Sequence, residues 1–105
     1  MNSKIKSQGD LGLRFTKNSD IVSRKISNEH LLVPIRRTAG DINSIYTLNE
    51  VASRVWSLID GKKTVANIRD EIVDEFEVDL KIAEVDLLEL FQKLVDVGAI
   101  HNVKG

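Results

Sequence analysis

The chain is predicted to fold as an α+β domain, a three-stranded antiparallel sheet followed by three helices. Between Ile21 and Leu48, short apolar runs alternate and are broken by turn-forming residues, the pattern of strands. Between Asn49 and Val97, three stretches repeat their apolar residues at i, i+3, i+4 and i+7, each opened by Asn, Thr or Asp. At 105 residues, 42% hydrophobic and 30% charged, the chain suits one domain with a modest core and no staples.

Residues 1–20 mix Ser, Gly, Lys, Asn and Asp with isolated apolar residues, and are predicted to be a flexible N-terminal arm ahead of a domain spanning 21–105. Leu11, Leu13 and Phe15 alternate within that arm, which also suits a short strand or a docked extended segment. Ile21–Ile26 and His30–Arg36 form the arms of a predicted hairpin with Ser27-Asn28-Glu29 as its turn. Leu31, Val33 and Ile35 share one face of the second arm, which is expected to be the core face. Pro34 has no N–H to give a ladder and should face an edge or a bulge. The third strand is placed over Asn43–Leu48.

Asn49 is the expected N-cap of the first helix, with Val51, Ala52, Val55, Trp56, Leu58 and Ile59 as its stripe and Gly61 as its left-handed stop. Trp56 reads as a core anchor. Thr64 caps the second helix, striped by Val65, Ile68, Ile72 and Phe76. Asp79 caps the third, which runs to about Val97 and stops at Gly98, with a short extended tail over 99–103.

Composition excludes several kinds of chemistry. Without cysteine there are no disulfides, thiolate nucleophiles, iron–sulfur ligands or cysteine zinc sites. His30 and His101 are far apart, and no metal or cofactor is expected. No Ser/His/Asp set or Gly-rich phosphate loop occurs, so the chain is not expected to be an enzyme. No segment approaches the ~18–20 apolar residues of a membrane span, and Lys4 and Lys6 precede no apolar run as in a secretory signal. A cytoplasmic protein without membrane contact is the expectation.

The third helix carries more apolar surface than one core needs. Ile82 and Val85 project from its otherwise polar side in the first two turns, with Leu88 and Val95 lower on the same wall. An open three-stranded sheet leaves two edges, and an extended peptide adds to such an edge through backbone hydrogen bonds. The third strand beside the third helix would then form a groove, backbone on one side and apolar flank on the other. The acidic flank (Glu84 and Glu89) should favour a peptide carrying Lys or Arg.

Tyr46-x-Leu48-Asn49-x-x-Ala52-x-x-Val55-Trp56-x-Leu58-Ile59-Asp60-Gly61-x-x-Thr64-x-x-x-Ile68 resembles the signature of the PqqD-like family. So does Phe76-x-Val78-Asp79 with Ala83-x-x-Asp86 and Leu90-x-x-Leu94-x-x-x-Gly98-x-Ile100. The resemblance runs from Tyr46 to Ile100; residues 21–45 match only in kind, as strands. It implies a winged-helix-like domain that recognises precursors of ribosomally synthesised, post-translationally modified peptides. The leader of such a precursor adds beside the third strand, packs on the third helix, and is presented to a modifying enzyme, often a radical S-adenosylmethionine protein. Joined to the edge-and-flank reading, this implies peptide-binding residues Ser44, Ile45, Tyr46, Thr47, Ile82, Val85, Leu88, Glu89 and Gln92. A monomer or weak dimer, with no nucleic acid as partner, is the expectation.

A winged-helix DNA-binding protein is the main alternative, since the element order suits it. Residues 1–48 carry 8 Lys/Arg against 4 Asp/Glu, whereas residues 49–97 carry 6 against 12. The third helix has Asp79, Glu84, Asp86, Glu89 and Asp96 against Lys81 and Lys93, and phosphate would repel it. A general protein–protein adaptor using the same groove for a partner's helix is the other alternative.

Overall fold

The computed structural model describes residues 8–34 and 46–103. Its strands are β1 (Phe15–Lys17), β2 (Ile21–Ile26), β3 (Glu29–Pro34), β4 (Tyr46–Leu48) and β5 (Ile100–Asn102), and its helices α1 (Glu50–Leu58), α2 (Val65–Phe76) and α3 (Leu80–Asp96). β2, β3 and β4 form an antiparallel sheet in that order, and β1 pairs with β5 in a separate antiparallel ribbon. The α+β architecture of three strands and three helices agrees with expectation. The ribbon adds to it.

The β2–β3 register runs from Ile21↔Pro34 to Ile26↔Glu29, so the loop is the two residues Ser27 and Asn28, and Glu29 already belongs to β3. Ser27 takes φ 60°, the left-handed value that tight hairpin loops require. The core face of β3 is the reverse of the expected one. Leu32 is 1% exposed, while Leu31 and Val33 are half-buried. Leu31-Leu32-Val33 is a continuous apolar run, so its period does not say which face turns inward, and a shift by one residue exchanges them. Ile35 lies outside the described residues.

Local chemistry sets the helix ends. The Asn49 side-chain oxygen accepts from the Ala52 N–H at 2.9 Å. Thr64 and Asn67 cap reciprocally, at 3.1 and 2.9 Å. The Asp79 carboxylate accepts from the Lys81 and Ile82 N–H groups. α3 ends as expected at Gly98 (φ 78°), where Gly98 donates to Val95 and Ala99 to Leu94, the two bonds of a Schellman cap. α1 ends earlier than Gly61. Ile59 turns extended (ψ 113°) and is buried, and Asp60 then folds the chain by accepting from the Lys62 and Lys63 N–H groups at 2.8 Å each. Those donors hold its carboxyl at a pKa of about 2.

The expected N-terminal arm is part of the fold from Gln8 onward. A 3-10 turn (Gln8–Gly12) packs on α2. Phe15 is 3% exposed, with its ring centroid 5.2 Å from that of Phe91 on α3. Leu13 accepts from the Val65 N–H at 3.0 Å, Phe15 from the Gly61 N–H at 2.8 Å, and Arg14 from the Val103 N–H at 2.8 Å. This segment is held by residues 45 or more positions away, pairing that local composition does not announce.

The core gathers Leu32 and Leu48 from the sheet, Val55, Trp56, Leu58 and Ile59 around α1, Val65, Ile68 and Ile72 from α2, and Leu87, Phe91 and Leu94 from α3. Trp56 is buried as expected, and the Lys17 ammonium stands 5.1 Å from the centre of its ring.

Candidate functional site

β4 pairs with β3 through Leu32↔Tyr46, Leu31↔Thr47 and His30↔Leu48, and among the described residues nothing pairs with its other edge. A strand turns alternate N–H and C=O groups to its two sides, so this edge offers backbone bonding capacity outward. Ser53, which is buried, fastens the strand to α1 by donating its Oγ–H to the Leu48 carbonyl at 3.1 Å. The chain then enters α1 directly, bringing Val51, Ala52 and Val55 beside β4.

Between β4, α1 and α3 lies an open groove of about 440 Å³. Its deep part is made of core side chains (Leu48, Val55, Ile72 and Leu87). Its mouth is apolar and exposed: Ile82 at 62%, Val51 at 40% and Val78 at 39%. Ala83 and Leu90 complete the α3 wall, and Asp86, Glu89 and Lys93 are the charged lining residues. At 100° per residue, positions 82, 86, 89 and 93 fall within about 60° of one another, a single row along the helix. An extended chain laid here would find backbone partners on one side and aliphatic surface on the other.

Of the expected site residues, Tyr46, Thr47, Ile82 and Glu89 line this groove together. Ser44 and Ile45 lie outside the described residues. Val85, Leu88 and Gln92 are not in the lining. They form the neighbouring row of α3, where Val85 is 57% exposed, Leu88 packs partly against the core, and the Gln92 amide donates to Asp96 at 2.8 Å. Glu84 is also unavailable, because Arg69 of α2 pairs with it at 3.2 Å. Sequence reasoning missed Asp86 and Lys93, although they continue the row begun by Ile82, and it missed Leu90 beside that row. It missed the α1 contribution for another reason: Val51, Ala52 and Val55 read as one core stripe, and only the turn at Asn49 shows that part of this stripe faces β4.

The groove's uncharged polar groups belong to Tyr46, Thr47 and Asn49. Among the described residues, no three His, Asp or Glu side chains come together as a metal site. His30 faces the opposite side of β3 from Leu31, near Lys17 and Lys25; burial, then those two ammonium groups, holds its pKa below the usual 6.5. Its Nδ1 is buried without a hydrogen-bond partner, and it takes no part in the groove. No described helix is long and apolar enough to cross a membrane.

A family model described as coenzyme PQQ synthesis protein D (PqqD) matches residues 29–100. The solved structure "TbiB1 in Complex with the TbiA(beta) Leader Peptide" is similar to the chain with a TM-score of 0.70 and 26% sequence identity, over 86% of this chain and 99% of that one. No curated protein matches the chain.

Proposed function

The chain belongs to the PqqD family, and we propose that it captures the leader segment of a ribosomally made precursor peptide and presents it to a modifying enzyme. The leader adds as a strand to the edge of β4, beginning at Tyr46 and Thr47, and lays alternate side chains against Ile82 and Leu90. Ser44 and Ile45, directly upstream in sequence, are included in the proposed contact with the leader. The modifying enzyme is of the radical S-adenosylmethionine type, the setting is cytoplasmic, and the chain itself supplies binding without catalysis.

One observation carries this reading: β4 has an edge that no described residue pairs with, beside an apolar groove whose far wall is α3. A strand needs both, because backbone bonds to an edge are sequence-blind and side-chain contacts supply the choice. The solved relative is a complex with a leader peptide, which supports the same use of the fold here. A DNA reading gains no support, since the exposed row of α3 carries Asp86 and Glu89 where a duplex would demand cations.

The test is an isotope-edited NMR titration with a short peptide encoded beside a peptide-modifying enzyme in the same genome. Amide shifts should concentrate at Tyr46, Thr47 and the 82–93 row of α3. Saturable shifts confined to the β2–β3 hairpin would overturn the assignment.

A further inference from the structure

Resting on the reading above, we propose that the groove selects its leader by an order of opposite charges. It takes an extended peptide with apolar side chains toward the floor, Lys or Arg beside Asp86 and Glu89, and Asp or Glu beside Lys93.

The three rim charges lie on one row of α3 and all are exposed. None of these three side chains has a hydrogen bond or ion pair with another described residue, unlike those of Glu84 and Asp96 on the same helix. Glu84 is held by Arg69 at 3.2 Å, and Asp96 accepts from Gln92 at 2.8 Å. The groove thus keeps two anions toward one end of its wall and a cation toward the other, all unspent. The aliphatic surface beneath them (Ile82, Leu90) excludes water from one side of any pair formed there, which strengthens it over a fully solvated pair.

Spacing makes the order readable. Along a helix rising ~1.5 Å per residue, Glu89 and Lys93 stand about 6 Å apart, and Asp86 and Lys93 about 10.5 Å apart. A strand lying along the helix repeats a face every ~6.7 Å. Its basic and acidic residues should therefore be two to four positions apart, on the same face. A wholly basic peptide meets repulsion at Lys93, a wholly acidic one meets it twice, and a mixed peptide in reversed order meets it at both ends. Each correct pair should favour binding about two- to fivefold, as partly exposed ion pairs do.

The experiment is selection of random 14-residue peptides from a display library against the full chain. It is repeated with Asp86→Lys/Glu89→Lys/Lys93→Glu and with Ile82→Asp, each checked for native circular dichroism. Peptides recovered by the parent and lost with Ile82→Asp should show alternating apolar residues and one preferred charge order. The charge-inverted protein should enrich the inverse order, and the parent order then reports the direction in which the peptide lies. Recovery of Ile82-dependent peptides with no charge order, or with the same order from both proteins, overturns the charge selection and leaves the groove reading standing. Recovery of peptides that bind Ile82→Asp equally well overturns both.

Discussion

The three-stranded sheet has two outer strands, and they differ in what stands beside them. β2 is six residues long and carries the exposed aliphatics Val22 and Ile26, yet it contributes nothing to the groove. β4 is described over only three residues, but it is followed at once by α1 and faces α3 across a cavity. If the leader adds to β4 as proposed, edge length and exposed hydrophobicity are poor guides to where a peptide adds. What counts is a second surface at side-chain distance, able to bury what the incoming strand projects.

That contrast can be broken most easily at the wall. Ile82→Asp places a charge in the apolar mouth, and leader affinity by calorimetry should fall at least tenfold, about 1.4 kcal/mol, with the circular dichroism spectrum unchanged. An unaltered dissociation constant would remove α3 from the site. The edge itself is tested by N-methylating the leader at successive positions. Methyls on alternate residues should each cost about 1 kcal/mol, the worth of one backbone bond, while those between cost little. Uniform tolerance would mean that no strand is added. On the other edge, Val22→Asp or Ile26→Asp should leave affinity within about twofold and shift stability by no more than ~0.5 kcal/mol. Val85→Asp, one row away from the groove, belongs with these weak variants; a large loss there would show that the leader wraps further around α3.

The smallest effect is on acid stability and should leave both edges untouched at neutral pH. The Asp60 carboxyl is depressed from 3.8 to about 2 in the folded protein. Its contribution is complete above about 3.8 and is lost as pH falls through about 2. Asp60→Asn should flatten the dependence of melting temperature on pH within that window, with peptide affinity at pH 7 unchanged.

The features legible in the sequence were those decided within a few residues. Asn49, Thr64 and Asp79 announce helix starts because a side chain reaches its own first turn, and Gly98 announces a stop because the left-handed cap is local. The family signature over Tyr46–Ile100 was legible too, and the family match covers all of it and begins earlier, at residue 29. The inward face of β3 was hidden by an uninterrupted apolar run. The groove row on α3 was half visible: Ile82 stood out among polar neighbours, but Val85 stood out equally, and only the position of β4 chooses between their rows. Residues 8–20 were misleading because what orders them is distant, β5 at the far end of the chain and Phe91 in the middle of α3.

The family match begins at residue 29, and a shortened version for expression would naturally start there. Such a truncation would remove Phe15 from its seat on Phe91, and deleting a buried aromatic of that size costs about 3–5 kcal/mol, a large share of what a domain this small has to spare. It would also leave β5 without its pairing strand and the Gly61 and Val65 amides without acceptors. The smallest piece that recognises the family and the smallest piece that survives purification are different lengths of chain.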